Sequence, residues 1–222
     1  MKMRSKNVRS NTRHCRQRAS GFSLLEMVIV VAISLTLLVV SVVSLEPLLK
    51  TQRVTNSYNM TLAALRQARD NAISQRTAYQ VTFNQTTTPP VVTTITVAPT
   101  TTFTGDLPSA TYQYPNDVFF LVPPTGTSAP DSFGTGSNAI DFGYTSSSSA
   151  GGQTSFYFCP DGSAQTASTC AGAGNWDGGV VYLARSLTDT GSYRAVDLFG
   201  ATGRLHGWRL YPAGSGYQWI RQ

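Results

Sequence analysis

A small residue, an aromatic residue and an acid stand at the start of a long apolar run, as Gly21, Phe22 and Glu26. Because Gly21 has no side chain, its peptide bond can approach the backbone of a protease closely. Cleavage after Gly21 would leave Phe22 with a free cationic amine at the N-terminus of a helix. Glu26 lies one helical turn from Phe22, where the amine and the helix dipole both favour a carboxylate. If the chain is cleaved there, Glu26 can pair with the new amine, which lowers the cost of burying its carboxylate.

The apolar run is long enough to cross a lipid bilayer. It contains no charged residue between Met27 and Leu45. At about 1.5 Å per helical residue, Phe22 to Leu45 spans roughly 36 Å, against a hydrocarbon core of about 30 Å. A carboxylate near the centre of such a segment costs about 2.5–3.5 kcal/mol, so Glu26 marks a candidate functional position. The alternative is that Glu26 lies at the cytoplasmic interface of an uncleaved anchor.

The formal charge of +6 comes from the first 21 residues. Seven of the 17 basic residues lie there and no acid does, which leaves ten basic residues against 11 acids in the remainder. The high pI therefore says little about the rest of the chain. Because basic flanks stay on the cytoplasmic side, the N-terminus is predicted to be inside and everything after about Leu45 outside.

The basic leader, Gly21, Phe22, Glu26 and the apolar run together resemble the class III signal of type IV pilins and type II secretion pseudopilins. The resemblance covers about residues 15–50. In that family a prepilin peptidase cleaves after the glycine and N-methylates the new first residue. This implies that residues 1–21 are a leader that is removed, that Phe22 is methylated and that Glu26 serves filament assembly. It also implies a bacterial inner-membrane protein whose partners are the peptidase, membrane lipid before assembly, and other pilins that contact its N-terminal helix.

Residues 22–75 are predicted to form one long helix with two parts. Residues 22–45 form the transmembrane or filament-core part, and residues 46–75 an amphipathic part, with a kink or local melting expected at Pro47. The amphipathic part is expected to pack on a globular head through apolar residues spaced by three and four positions. These residues are Leu48, Leu49, Val54, Tyr58, Leu62, Leu65, Ala68 and Ala72.

Residues 76–222 are predicted to form a β-rich head, because runs of β-branched and aromatic residues alternate with turn residues. The fold class is therefore α+β, a long N-terminal helix packed on an antiparallel β-sheet head. This arrangement, the turn from Phe158 to Gly162 and the pair Gly203-Arg204 resemble the GspH/FimT group of minor pseudopilins. Strands are expected at 79–83, 91–97, 118–122, 139–142, 155–158, 180–185, 193–199, 204–211 and 217–220, the last five as an antiparallel meander.

Cys159 and Cys170 remain after the leader. A disulfide is preferred to two free thiols, because an exported chain reaches an oxidising compartment. Two cysteines with no histidine nearby do not form a zinc site. The loop 175–178 is a candidate calcium site, but a plain turn is the preferred interpretation. No catalytic residue, cofactor site or metal site is predicted.

Three arginines near the C-terminus, Arg204, Arg209 and Arg221, are candidate DNA contacts. Some members of the FimT group bind DNA through a Gly-Arg-x-Arg motif. Here His206, mostly neutral at pH 7, replaces the second arginine. A strand with solvated arginines is therefore the preferred interpretation over DNA binding.

The sequence thus predicts a non-enzymatic minor pilin or pseudopilin of a type II secretion pseudopilus or a type IV pilus. Its roles would be filament initiation or tip assembly and protein secretion, with secreted cargo as a further candidate partner. Two alternatives stay open. One is a DNA-binding minor pilin for DNA uptake, and the other is an uncleaved, membrane-anchored β-domain that binds a ligand.

Overall fold

The structure is a computed structural model that describes most of the chain: Gly21 and residues 23–100, 109–144, 151–170 and 177–222. The chain divides after Leu45 into two compact units. The predicted leader lies outside the described residues except for Gly21, so the predicted boundaries of leader, helix and head remain predictions.

One long helix, α1 (Leu24–Gln75), begins just after Gly21. Its first backbone hydrogen bond joins the N–H of Met27 to the carbonyl of Ser23 at 3.1 Å. The helix continues through Pro47, so local melting does not occur there, although proline supplies no N–H donor. The helix ends before Arg76, whose left-handed φ of 51° is common just after a helix.

Within the second unit, one face of α1 is buried. Val54, Leu65 and Ala72 on this face are at most 1% exposed. The predicted apolar stripe is therefore confirmed from Val54 to Ala72. Its predicted start is wrong, because Leu48 and Leu49 are 55% and 56% exposed. These two leucines precede the part of α1 that packs on the sheets.

The described residues contain eleven strands, and all of their pairings are antiparallel. Two 3-10 helices lie between strands, at Pro130–Ser132 and Thr190–Ser192. The strands are β1 (Tyr79–Gln85), β2 (Thr93–Pro99), β3 (Ala110–Gln113), β4 (Phe119–Phe120), β5 (Ile140–Tyr144), β6 (Ser155–Phe158), β7 (Ala164–Gln165), β8 (Gly178–Ala184), β9 (Arg194–Phe199), β10 (Arg204–Ala213) and β11 (Gly216–Arg221).

The strands form two sheets. The order in the first sheet is β3-β2-β1-β6-β7, and in the second it is β11-β10-β9-β8-β4, with β5 also paired to β8. In the β9–β10 hairpin Phe199 lies opposite Arg204. In the β10–β11 hairpin Ala213 lies opposite Gly216, and Gly214 in the connecting turn has a φ of 56° that favours glycine.

The amphipathic part of α1 and both sheets share one apolar core. Phenylalanines form its centre, with ring centroids 5.3 Å apart for Phe83 and Phe142 and 4.7 Å apart for Phe142 and Phe156. A smaller core covers the other face of the second sheet, where Tyr182 stacks on Trp219 at 5.5 Å. Because this sheet is covered on both faces, every residue of β8 is buried.

The predicted α+β class is confirmed, since a long apolar N-terminal helix is followed by antiparallel sheets. The meander is confirmed from β8 to β11. Strand 155–158 was expected in this meander but pairs with β1 in the first sheet. Strands β3 and β7 were not predicted, because edge strands of four and two residues contain too few alternating positions.

Gly207 in β10 allows the second sheet to approach α1 closely. A Cβ atom built at Gly207 would overlap the hydroxyl group and the ring of Tyr58 on α1. Any larger residue at this position would therefore push the helix and the sheet apart.

We expect Gly207→Ala to lower the free energy of unfolding by about 1–3 kcal/mol, because the added methyl group overpacks this contact. Unfolding followed by circular dichroism measures the change. Gly216→Ala is the matched control, since a Cβ atom at Gly216 meets no other atom within 4 Å. Adding Tyr58→Leu should recover part of the loss, so strictly additive effects of the two substitutions would contradict the steric explanation.

Candidate functional site

The predicted cleavage position is accessible. Gly21 is exposed and lies just before α1. A Cβ atom built at Gly21 would meet no other atom within 4 Å, and its φ is not in the left-handed region. The fold therefore does not itself require glycine at this position. Phe22, the predicted site of methylation, lies outside the described residues.

Glu26 lies in the first turn of α1, and its side chain is exposed. The helix N-terminus favours a negative charge at this position. Its carboxylate forms no hydrogen bond or ion pair with any other residue that the structure describes. The carboxylate is therefore available to a cation outside this set, such as a terminal amine.

The first unit exposes apolar side chains along its described length. Leu24 is 83% exposed, and the other described leucine, isoleucine, valine and methionine side chains up to Leu45 are at least half exposed. The hydroxyls of Thr36, Ser41 and Ser44 donate hydrogen bonds to carbonyls of their own helix, so they need no water. Among the helices described, α1 is the one whose length and composition would allow it to cross a membrane.

The residues around Gly21 and Glu26 match a known family. The model of the family described as Prokaryotic N-terminal methylation motif matches residues 16–42. The match supports a type IV pilin-like protein. It suggests a structural protein rather than an enzyme, implies processing by a prepilin peptidase and assembly with other pilins, and fits a membrane-anchored chain. No significant match was found among curated proteins or among solved structures.

The predicted disulfide is present in the structure, where it joins Cys159 to Cys170 with their Cα atoms 5.7 Å apart. Asp161 shapes the turn that follows Cys159. Its carboxylate accepts hydrogen bonds from the backbone N–H and the hydroxyl of Ser163 at 2.9 and 2.6 Å. These hydrogen bonds hold the pKa of Asp161 below its usual value. The turn is thus fixed both covalently and by hydrogen bonds.

This turn meets the β9–β10 turn and α1 at one point of the second unit. A Cβ atom at Gly203 would overlap the carbonyl oxygen of Gly162, and Gly203 has a φ of 61°. The Nε–H of Arg69 on α1 donates a hydrogen bond to the same carbonyl at 3.2 Å. The two short motifs that resemble the GspH/FimT group therefore contact each other. We call this contact the turn junction, formed by Arg69, Gly162 and Gly203.

The structure separates the three arginines predicted as DNA contacts. Arg204 begins β10, and Arg209 follows five residues later, which is about 17 Å along a strand. The guanidinium of Arg209 lies over the ring of Tyr211, 5.0 Å from its centroid. Arg221 lies in β11 opposite Trp208, next to the position of Arg209. The three side chains do not form one patch.

Arg204 lies beside a different pair of arginines. It lines a cleft together with Arg66, Arg69 and Asp70 of α1. Arg66 and Arg69 are three residues apart on the helix and so face the same side. The sequence shows this helical spacing, but no local signal connects it with a strand that begins more than a hundred residues later.

Only part of the candidate calcium loop can be described. Asn175 and Trp176 lie outside the described residues. Asp177 is buried, and its Oδ2 accepts hydrogen bonds from the backbone N–H and the hydroxyl of Thr166, both at 2.5 Å. These contacts favour a structural role for Asp177, which joins the end of β7 to the start of β8.

We expect Gly21→Val to block removal of the leader without disturbing the fold. The space around Gly21 accepts a side chain, whereas the approach of a protease backbone favours glycine. Intact-mass spectrometry of the protein from native membranes should find residues 1–21 retained in the variant and removed in the wild type. Ser23→Ala is the control and should be processed. Normal processing of Gly21→Val would contradict the predicted cleavage site.

Proposed function

We propose that this chain is a structural minor pilin or pseudopilin, similar to the GspH/FimT group, of a type II secretion pseudopilus or a type IV pilus. It is inserted with its N-terminus inside, cleaved after Gly21 and methylated at Phe22. Its apolar helix then enters a short filament or filament tip, and its head contacts other minor subunits or secreted cargo. The observation that carries this proposal is an exposed apolar helical segment with one acid, Glu26, that has no partner among the described residues.

The apolar segment requires a covering surface. Burial of a leucine or valine side chain contributes about 1.5–3 kcal/mol, so the segment is stable in lipid or among similar helices. Leu24, Met27, Val28, Val31 and Leu35 line a shallow apolar groove along one face, spaced by three and four residues. Such a groove accepts the ridge of side chains of a neighbouring helix. Filament assembly therefore replaces lipid with other subunits on the same surface.

Glu26 and the cleavage reaction belong to one mechanism. A lone carboxylate inside an apolar bundle is costly, and an oppositely charged partner offsets part of that cost. Cleavage after Gly21 creates such a partner, the cationic amine of Phe22. The peptidase thus generates the charge that Glu26 recognises, and only processed neighbours fit. Pairing at one position also sets the axial register of adjacent helices.

The similarity to the GspH/FimT group rests on the head. Its two antiparallel sheets, covered by the amphipathic part of α1, agree with the architecture expected for that group. The turn junction adds a second argument, because the two motifs that suggested the group are in contact there. The region around this junction is a candidate surface for contacts with other minor subunits.

The direct test is the N-terminal residue of the protein isolated from its native membrane, determined by mass spectrometry. A chain that begins with N-methylated Phe22 is the expected result. Retention of residues 1–21 would overturn the proposal, and an uncleaved, membrane-anchored β-domain would then explain the chain better.

DNA uptake is a second candidate function, favoured by one observation. Arg66, Arg69 and Arg204 surround one cleft, and arginines bind phosphate groups. DNA binding through phosphates weakens steeply with added salt. Salt-dependent binding of duplex DNA by the purified protein, lost in Arg66→Ala/Arg204→Ala, would support this role. An absence of binding at low salt would exclude it.

We expect Glu26→Ala to allow membrane insertion and cleavage but to impair entry into the filament. Removing one partner of a buried ion pair costs about 3–5 kcal/mol, because the other charge stays buried and unpaired. Recovery of partner pilins in a pull-down should therefore fall by more than about tenfold. Glu46→Ala is the matched control, since Glu46 is an exposed acid of the same helix that pairs with Lys50. Equal recovery by Glu26→Ala and the wild type would refute the role of Glu26.

A further inference from the structure

A buried acid and a buried histidine face each other on neighbouring strands. Asp197 of β9 lies opposite His206 of β10 in the hairpin register. The Oδ1 atom of Asp197 accepts a hydrogen bond from the backbone N–H of His206 at 3.0 Å and lies 3.6 Å from its Nδ1 atom. The side chains of Asp197 and His206 are only 1% and 5% exposed. The hairpin thus holds an oxygen and a nitrogen ligand at short range in the interior.

A third ligand comes from a distant part of the chain. Asp131, in the 3-10 helix Pro130–Ser132, places Oδ2 2.9 Å from the same Nδ1 atom of His206. One ligand atom from each of Asp131, Asp197 and His206 lies within 4.8 Å of the other two. We call these three residues the Asp–His cluster.

No arginine or lysine among the described residues pairs with the two acids of the cluster. Among the described residues, His206 is the only basic side chain within ion-pair distance of either carboxyl group. Two carboxyl groups and one imidazole this close together can bind one cation jointly.

The hydrogen bonding of Asp197 differs from that of the other fully buried carboxylate of the described residues. Asp141 is also fully buried, and its two oxygens accept five hydrogen bonds, from the backbone N–H groups of Thr135 and Gly152 and from the side chains of Thr135, Asn138 and Tyr144. By contrast, Oδ2 of Asp197 is buried and forms no well-aligned hydrogen bond with the described residues, although the Asp131 carboxyl group and the Trp208 indole lie near the Asp197 carboxyl group. A buried carboxylate oxygen that lacks a donor is costly unless a cation binds it.

We infer that the Asp–His cluster binds a divalent transition-metal ion, with Zn²⁺ as its preferred ion, through Asp131, Asp197 and Nδ1 of His206. Ligand bonds of about 2.0–2.2 Å in a tetrahedral zinc site place neighbouring ligand atoms about 3.4 Å apart. In the structure, Nδ1 of His206 lies 2.9 Å from Oδ2 of Asp131 and 3.6 Å from Oδ1 of Asp197, one distance below this value and one above it. Three protein ligands would leave a fourth position for water or another donor.

The donor set discriminates between metals. Ca²⁺ takes six to eight oxygen ligands, whereas this cluster offers an imidazole nitrogen and two carboxylates. Imidazole with carboxylate suits zinc and its neighbours in the first transition row. The ion has a route to the cluster, because Asp131 is 38% exposed and lines a cleft of about 220 Å³ with Trp208 and Trp219. A bound ion would tie the 3-10 helix at Pro130–Ser132 to the β9–β10 hairpin.

The test compares zinc binding by the full chain and by Asp131→Asn, purified in detergent after dialysis against a chelator. Asparagine tolerates the left-handed φ of 51° at this position, so the substitution removes the charge and keeps the backbone. Every chain carries His14→Ala and Cys15→Ser, which removes two zinc-binding side chains from the leader. Asp70→Asn is the control, because Asp70 is an exposed acid outside the cluster. His206→Gln provides a second variant of the cluster.

We expect one Zn²⁺ per wild-type chain by calorimetry and a melting temperature that rises with added Zn²⁺ but not with Ca²⁺. X-ray absorption should find nitrogen and oxygen ligands at about 2.0–2.2 Å. Asp131→Asn should weaken zinc binding by at least about tenfold and abolish the shift in melting temperature, and Asp70→Asn should change neither.

Two results would overturn the inference. One is that the wild type retains no zinc and shows no shift, in which case Asp131, Asp197 and His206 form only a hydrogen-bonded contact. The other is that Asp131→Asn and His206→Gln bind zinc as tightly as the wild type, which would place the ion elsewhere. Neither readout depends on filament assembly, so the proposed function and the metal site can fail separately.

Discussion

The packing of the amphipathic part of α1 against the two sheets determines how the rest of the head is arranged. The helix contributes buried apolar side chains along one face from Val54 to Ala72, and Gly207 on the opposing strand leaves space for Tyr58 of the helix. The inner faces of both sheets share one core with this helix, and their buried phenylalanines belong to that core. The helix is thus the common partner that joins the two sheets into one folded body.

The groups that this fold leaves without partners show where the chain meets something else. Along the first unit these groups are a continuous apolar surface and the carboxylate of Glu26. In the described part of the head they include the second oxygen of Asp197 and the ring Nε2 of His206, both buried, together with side-chain atoms of seven other residues. Most other polar groups in the interior, such as Asp141 and Asp177, are satisfied internally. The proposed filament assembly and the inferred ion binding rest on the same rule, that buried or covered charge must be matched.

The sequence predicted those structural features that depend on interactions between residues close together in the chain. The charge-free run, the helical spacing of Val54 to Ala72, and the strand runs separated by turn residues in β8 to β11 were visible in the sequence, because each depends on neighbours a few residues apart. Spacing alone could not separate a core-facing side chain from an exposed one, which is why Leu48 was misassigned. The pairing of β6 with β1 and the approach of Asp131 to His206 depend on contacts across 70 residues or more. The pairing of Asp197 with His206 is a local contact, because a turn at residues 201–203 places the two residues opposite each other in one hairpin.

The disulfide between Cys159 and Cys170 affects when the head reaches its final structure relative to its export. The loop that it closes contains Gly162. The carbonyl of Gly162 accepts a hydrogen bond from Arg69 and lies against Gly203. A reducing cytoplasm keeps the two cysteines apart as thiols, and an oxidising compartment joins them. For a chain exported as proposed, the turn junction is therefore completed only after the head has crossed the membrane. The head passes the bilayer in a less constrained form and gains its final rigidity on the far side, which separates the time of translocation from the time of final folding.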